Sequence, residues 1–288
     1  MRKIEFMKTR EIQKVVKGSN QIDGAGVHLV RVFGYRDVKD FDPFLLLDAF
    51  DSRNPDDYIK GFPWHPHRGI ETVTYLIKGR IDHEDSLGNK GSIHEGGCQW
   101  MTAGSGILHQ EMPIASERML GAQLWVNLPK DNKMTEPAYR DITADMVPII
   151  KDENGEVRIL AGTYNGTEGA MQPDYVKVLY LDVIVYPGKS MTISTEESEN
   201  LFTYVVEGNG VTGEKAETIQ SQSAVLFSSG EQLSFTAGNE GLRLLLVSGA
   251  SLNEPISWGG PIVMNTREEL NLAFEELEKG SFIKHDPQ

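Results

Sequence analysis

The sequence contains a single cysteine, Cys98, and has no long apolar run. A lone cysteine cannot close an internal disulfide, so the cysteine content gives no sign of an oxidising compartment. The longest apolar stretches, such as 183–185 and 244–247, have the length of strands and fall far short of the roughly 20 residues that span a bilayer. The first residues also lack the apolar core of a signal peptide. We therefore expect a soluble, cytoplasmic protein without a membrane segment.

Basic residues are scarce relative to acidic ones. The chain has 28 Lys and Arg against 42 Asp and Glu, which gives a formal net charge of −14. Nucleic-acid binding depends on basic side chains that neutralise phosphates, and no run of Lys or Arg offers a local basic patch. The charge balance therefore argues against direct binding of nucleic acid.

The sequence is rich in short segments of β-branched and aromatic residues, separated by turns that contain Gly and Asn. The clearest of these segments are 70–78, 120–127, 176–186, 201–206, 224–227 and 242–247. Many short strands with turns at this spacing indicate an all-β sandwich or barrel.

A polar segment, 129–155, separates two strand-rich halves, and a length of 288 residues fits two domains. We expect domains at 1–140 and 141–288. The halves resemble a diverged repeat, because a strand that ends in Gly recurs at 73–79 and 202–208. The strand-rich part of the second half has no histidine, so only the first half can hold a histidine-ligated metal.

One helix is predicted near the end of the chain, at about 266–279. Thr266 and Glu269 have the spacing of a capping box, and Gly280 is suited to end the helix. An apolar stripe at helical spacing is formed by Leu270, Ala273, Phe274 and Leu277. We assign this helix to the C-terminal domain and expect its apolar face to pack across the outside of a barrel.

Five of the seven histidines lie between positions 65 and 109. His65 and His67 share one face of an extended segment, and His109 and Glu111 repeat that spacing about forty residues later. Two such pairs on facing strands would bring three imidazoles and one carboxylate together, which suits a divalent first-row metal. The first pair alone would also fit two surface histidines beside Trp64, and the second pair favours the metal.

The sequence around these pairs resembles known motifs. Residues similar to the first cupin motif are Gly61, His65, His67, Glu71 and Gly79, and those similar to the second are Gly91, Gly97 and His109. Segments 65–76 and 99–113 more specifically resemble the signature of the pirin family. The likeness continues through 124–129 and 261–266, so that it covers almost the whole chain.

This resemblance implies a bicupin. The expected fold is all-β, with two antiparallel β-barrels of the jelly-roll type face to face and a C-terminal helix. Only the N-terminal barrel would bind metal. Carried over by position, the family's metal ligands fall on His65, His67, His109 and Glu111. The implied cofactor is one divalent ion per chain, Fe(II) in first place, with Mn, Ni, Co, Cu or Zn as alternatives.

The resemblance also implies an activity, the ring cleavage of quercetin by a 2,3-dioxygenase. A flavonol-like molecule and dioxygen would be the substrates, and Glu111 or Glu71 would take the proton of the flavonol hydroxyl. The alternative is a metal- or redox-sensitive regulator that binds a transcription factor or a metabolic enzyme. We expect a monomer, because a bicupin already pairs two barrels within one chain.

Glu71 can be interpreted in two ways. It shares a face with His67 if the strand is regular, whereas a bulge at Gly69 would reverse that parity. We interpret Glu71 as a carboxylate behind the ligands or facing substrate, rather than as a ligand.

Other residues have structural interpretations. We expect His83 in a solvated loop, with the rim of a pocket as the alternative. His94 is expected on a turn and Cys98 as a small buried residue. The tryptophans expected in the barrel core are Trp64, Trp100 and Trp125.

Overall fold

The computed structural model describes residues 7–285, and within this range the strands pair antiparallel. The strands of the first half are β1 (Ile12–Lys17), β2 (Ser19–Asp23), β3 (Val27–Phe33), β4 (Phe44–Ser52), β5 (Phe62–His67), β6 (Ile70–Lys78), β7 (Arg80–Asp85), β8 (Lys90–Ile93), β9 (Cys98–Thr102), β10 (Ile107–Ile114), β11 (Met119–Asn127) and β12 (Ala138–Ile142). Those of the second half are β13 (Ile149–Lys151), β14 (Gly155–Ala161), β15 (Thr163–Tyr164), β16 (Thr167–Glu168), β17 (Leu179–Val185), β18 (Ser190–Ser194), β19 (Asn200–Thr212), β20 (Glu217–Gln220), β21 (Ser223–Phe227), β22 (Gln232–Gly249), β23 (Ser257–Gly259) and β24 (Ile262–Met264).

Helices are few among the described residues. The α-helices are α1 (Val38–Phe41) and α2 (Arg267–Glu278), and short 3-10 turns occur at Pro55–Asp57, Lys130–Asn132 and Ala144–Met146. In the described part of the chain, neither α-helix has the length and apolar character needed to cross a membrane. The expected all-β fold with a helix near the C-terminus is confirmed.

The chain divides into two compact units. The first, here called the histidine unit, comprises residues 19–147 together with the segment from 252 onward. The second unit comprises residues up to 18 together with 148–251. The expected division at 140/141 would put the N-terminal segment in the first domain and the C-terminal segment in the second. In the structure the residues up to 18 belong to the second unit, and the residues from 252 onward belong to the histidine unit. The reason is long-range pairing, since β1 pairs with β21 and the Val263 amide donates a hydrogen bond to the Arg68 carbonyl.

The second unit is built on one nine-stranded antiparallel sheet. Its order is β1-β21-β19-β22-β17-β14-β13, with β18 also paired to β22 and β20 to β19. The core side chains are aliphatic and aromatic, among them Val157, Leu181, Val205, Phe227 and Leu244. No histidine occurs in the described residues of this unit, so it offers no imidazole ligand.

The histidine unit contains two large antiparallel sheets besides the short pair β23-β24. One has seven strands in the order β12-β9-β6-β11-β4-β3-β2, and the other has four in the order β5-β10-β7-β8. Polar side chains on the inner faces of the two sheets meet, as in the contact between Glu111 of β10 and Gln123 of β11. An interior with converging polar groups is where a binding site is expected.

The helix α2 has the predicted capping box. The Thr266 hydroxyl accepts a hydrogen bond from the Glu269 amide (3.2 Å), and the Glu269 carboxylate accepts one from the Thr266 amide (2.9 Å). Of its apolar stripe, Leu270 and Ala273 are buried, whereas Phe274 is exposed.

Candidate metal centre

Three imidazoles converge between two adjacent strands of the four-stranded sheet. β5 and β10 are antiparallel, with His65 directly opposite His109 and His67 opposite Ile107. Alternation along β5 turns His65 and His67 to the same side. One ligand atom from each of the three histidines lies within 4.8 Å of those of the other two. The structure therefore brings these three predicted ligands together.

Backbone carbonyls fix the orientation of two of the rings. His65 Nδ1 lies 2.9 Å from the Pro63 carbonyl oxygen, and His67 Nδ1 lies 3.0 Å from that of Pro261. A carbonyl can only accept, so each Nδ1 carries the proton and each Nε2 keeps a free lone pair. This tautomer is the one that binds a metal through Nε2.

The buried rings of His67 and His109 are held in their neutral form. Burial, followed by the neighbouring His65, lowers the pKa of His67 to about 3. Burial also lowers the pKa of His109 well below its usual value, and the other imidazoles add to that effect. Neutral imidazole is the metal-binding form, so these residues need no proton removed at neutral pH.

The donor set fits a divalent metal ion. His109 is fully buried, and neither of its ring nitrogens has a hydrogen-bond partner among the described residues. A buried polar atom without a partner is costly, and coordination of an ion would satisfy one of the two nitrogens.

Glu111 lies two residues after His109 on β10 and lines the same cavity as His65 and His67, but it is outside the group whose ligand atoms are mutually within 4.8 Å. Both of its carboxylate oxygens accept hydrogen bonds from Gln123 Nε2, at 2.9 and 3.0 Å. The Thr74 hydroxyl donates a third hydrogen bond, to Glu111 Oε1, at 3.2 Å. The Trp125 indole donates to Gln123 Oε1 at 3.2 Å, which sets the orientation of the amide. The sequence pattern did not identify Gln123, because a lone glutamine in an apolar strand has no distinctive spacing.

Glu71 lies elsewhere, and the catalytic role expected for it is not supported by its position. Glu71 comes three positions before Thr74 on β6, so strand alternation turns the two side chains to opposite faces. Thr74 lines the cavity beside the imidazoles, whereas the fully buried Glu71 does not and accepts a hydrogen bond from Thr102 at 2.7 Å. The break in parity falls at Gly69, whose φ of +78° interrupts the extended backbone.

A cavity of about 820 Å³ opens beside the imidazoles, and its wall includes His65, His67 and Glu111. Apolar side chains form much of the remaining wall, namely Leu29, Leu46, Phe50, Phe62, Ile81, Trp125 and Trp258. Trp125 is thus a wall residue rather than a core residue. Trp64 is exposed, and only Trp100 is fully buried as expected.

A charged pair also lines this cavity. Arg31 donates to both carboxylate oxygens of Asp48, at 2.9 and 2.8 Å, and to Asp23 at 2.8 Å. Burial raises the pKa of Asp48, although Arg31 opposes that effect. The cavity therefore combines apolar surface with a few fixed polar groups, as small-molecule sites usually do.

His83 is buried, and its prediction as a solvated loop residue was wrong. Its ring stacks on Tyr139, with centroids 4.6 Å apart, and lies 5.3 Å from the ring of His109. The residue lies on β7, whose neighbour β10 carries His109. The spacing of His83 and Asp85 repeats that of the other two pairs and was the available signal. By contrast, His94 is exposed as expected. Cys98 is buried as predicted, and burial raises the pKa of its thiol.

Comparisons with known proteins agree with this architecture. Residues 26–126 match the Pirin family model, and residues 180–283 match the model of the Pirin C-terminal cupin domain. A pirin-like protein of Caulobacter vibrioides is 41% identical over 279 residues, which cover 96% of this chain and 100% of that protein. A pirin-like protein of Solanum lycopersicum is 37% identical over 277 residues, with 96% and 94% covered.

A solved structure is also similar over nearly its full length. The crystal structure of quercetin 2,3-dioxygenase from Acinetobacter baumannii superposes with a TM-score of 0.87 at 32% identity. The match covers 95% of this chain and 98% of that one.

Proposed function

The chain belongs to the pirin family, and on that premise we propose that its histidine unit is a metal-dependent dioxygenase centre of the quercetin 2,3-dioxygenase type. The substrates would be a flavonol-like molecule and dioxygen. The observation that carries this proposal is the position of His65, His67 and His109 beside a largely apolar cavity of about 820 Å³. A related protein with a matching fold is named for this activity.

The three imidazoles would hold one divalent ion, and Glu111 would be the fourth ligand that the family resemblance implies. Such an ion supplies Lewis acidity toward a chelating oxygen and a centre at which dioxygen reacts. We propose Fe(II) as the native ion. Imidazole and carboxylate ligands discriminate weakly among first-row ions, so the test compares several metals.

The protein's own contribution is to orient the substrate and accept its proton. The flat apolar walls formed by Trp125, Phe62 and Leu46 would hold aromatic rings and exclude water. Glu111 would take the proton of the flavonol hydroxyl at Oε2, which accepts one hydrogen bond, from Gln123, whereas Oε1 accepts two, from Thr74 and Gln123. Gln123 would keep that carboxylate in place throughout the reaction.

Oxygen uptake with quercetin tests this proposal. The protein would be stripped of metal and reloaded with Fe(II), Mn(II), Ni(II) or Co(II), and carbon monoxide would be measured in the same vessel. We expect oxygen uptake that depends on the metal, with an equal amount of carbon monoxide released.

His109→Ala is the matched control, and it should lose both metal and turnover while the circular dichroism spectrum stays that of the wild type. Full metal occupancy in this variant would overturn the ligand assignment. Stoichiometric metal in the wild type without oxygen uptake for any of the four ions would overturn the dioxygenase proposal.

A further inference from the structure

Asp85, at the end of β7, is an unusually well fixed carboxylate. Its Oδ1 accepts hydrogen bonds from the amides of Leu87 (2.9 Å) and Asn89 (3.1 Å). The side-chain amide of Asn89 also donates to Oδ2 at 2.9 Å. Burial opposes ionisation, but the hydrogen bonds from His83 and Asn89 outweigh it and lower the pKa of Asp85. Both oxygens of Asp85 thus face N–H donors, so the carboxylate acts as an acceptor.

His83 is the next residue in this chain of contacts. Its side chain is 0% exposed, and its Nε2 lies 3.4 Å from Asp85 Oδ2. Because Asp85 can only accept, Nε2 carries the proton and Nδ1 is left with a lone pair. That Nδ1 is buried and has no partner among the described residues. The stacking on Tyr139 at 4.6 Å and 21° restrains the ring from turning away.

His109 lacks the support that the other two imidazoles have. His65 and His67 each donate Nδ1–H to a backbone carbonyl, whereas both nitrogens of His109 are without a partner in the described part of the chain. Metal-ligating histidines almost always donate their other N–H to an acceptor that holds the ring in place. The ring of His109 lies 5.3 Å from that of His83, at an angle of 55°.

We propose that His83, held by Asp85, is the positioning residue for His109. When one nitrogen of His109 engages the metal, the other carries a proton, and His83 Nδ1 accepts it as a hydrogen bond. No hydrogen bond joins the two rings in the structure, where these nitrogens are without a partner among the described residues, so this bond would form as His109 engages the metal. This inference rests on the proposed metal centre, and it predicts that His83 acts on metal affinity without being a ligand.

Two substitutions of His83 separate this role from simple packing. His83→Phe keeps an aromatic ring against Tyr139 but removes the acceptor. His83→Gln loses the ring but restores an acceptor in its amide oxygen and keeps a donor for Asp85. The affinity for Co(II) would be measured by calorimetry, and the absorption spectrum of the bound Co(II) would report the ligand geometry.

We expect His83→Phe to weaken Co(II) binding by about ten- to a hundredfold, the usual effect of losing the group that orients a metal ligand, and to alter the Co(II) spectrum. His83→Gln should recover most of the affinity and the wild-type spectrum. His94→Phe is the control, because His94 is exposed, and it should bind Co(II) like the wild type.

Wild-type affinity and spectrum in His83→Phe would overturn the proposal. Equal losses in the Phe and Gln variants would also overturn it, since an acceptor restored at this position would then bring no recovery of affinity. A wild-type protein that binds no Co(II) at all would instead overturn the metal centre itself, so the two failures can be told apart.

Discussion

At the residue scale, Glu111 and Glu71 differ in what their carboxylates contact. Glu111 lines the cavity, and two neighbouring side chains, Gln123 and Thr74, donate hydrogen bonds to it. Glu71 lies on the opposite face of β6, where Thr102 donates to it. A general base must be within hydrogen-bond reach of the proton that it takes, so of these two carboxylates we propose Glu111, which lines the cavity, for that role.

This contrast predicts different outcomes for two isosteric substitutions. Glu111→Gln should lower kcat with quercetin by about a hundredfold or more, the usual contribution of a general base. Glu71→Gln should retain kcat close to that of the wild type, because an amide oxygen can still accept from Thr102. Both rates would be measured at equal metal occupancy. A large loss of kcat in Glu71→Gln with metal retained would show that Glu71 takes part in turnover.

The sequence could place His65, His67 and His109 on a shared site but could not place Glu71, and the reason is a single glycine. Alternation within β5 and within β10 is regular enough to predict which residues share a face. Between β5 and β6 that parity depends on the sign of φ at Gly69, which the letter G does not reveal. A Cβ at this position would come within 2.0 Å of the Val263 carbonyl oxygen, so the conformation depends on a contact distant in sequence.

At the element scale, polar side chains form a row across the seven-stranded sheet. Arg31 of β3 pairs in register with Asp48 of β4, Asp48 with Gln123 of β11, and Gln123 with Thr74 of β6. Neighbouring strands are about 4.8 Å apart, so the backbone of Arg31 lies roughly 10 Å from that of Gln123. A flat aromatic substrate of about that length would contact Glu111 at one end and Arg31 at the other.

Arg31 is therefore predicted to form a hydrogen bond with the end of the substrate that lies farthest from the metal. The contacts to Asp48 and Asp23 use Nε and Nη2, which leaves Nη1 for a substrate hydroxyl. Arg31→Met should lower kcat/KM for quercetin about tenfold, the equivalent of one hydrogen bond to a charged group. Unsubstituted 3-hydroxyflavone, which lacks the remote hydroxyls, should be affected much less.

Arg80→Met is the control, because Arg80 is exposed on β7 and pairs with Asp82. It should leave kcat/KM for both flavonols at the wild-type value. If Arg31→Met lowered kcat/KM equally for the two flavonols, Arg31 would support the cavity without forming a hydrogen bond to the remote hydroxyls of the substrate.

Local elements were easier to predict than their partners. The capping box and apolar stripe predicted α2, because both signals lie within one short segment. The pairing of β1 with β21 was not predictable, since strand periodicity does not specify a partner some 200 residues away. His83 was misplaced for the same reason. The polar run 82–85 is typical of a loop, and its burial follows from the position of β7 between β10 and β8.

At the scale of the whole molecule, the candidate centre joins segments that are distant in the chain. His67 donates to the Pro261 carbonyl, and the Arg68 carbonyl accepts from the Val263 amide at 3.1 Å. The buried Arg68 guanidinium also pairs with Glu276 of α2 at 2.7 Å. The C-terminal segment thus holds His67 and its neighbour Arg68 through hydrogen bonds and an ion pair.

Metal removal should therefore change stability in a regionally specific way. When the free concentration of an ion is a hundred times its Kd for the folded chain, the ion raises the free energy of unfolding by about 2.7 kcal/mol, provided that the unfolded chain does not bind it. In hydrogen exchange, the added protection should concentrate in β5, β10 and β24, which hold the imidazoles or brace them. β19 and β21 should change little, because the second unit has no histidine among its described residues.

The comparison would use the wild type with and without Co(II), and His109→Ala under the same two conditions as the control. In His109→Ala the metal-dependent protection should disappear from all three strands together, since they share one ion. Protection of β24 matters most, because β24 supplies no ligand and is joined to the centre through the Val263–Arg68 hydrogen bond and the adjacent Pro261 carbonyl. If β5 and β10 gained protection while β24 did not, the C-terminal segment would be a neighbour of the centre rather than a part of it.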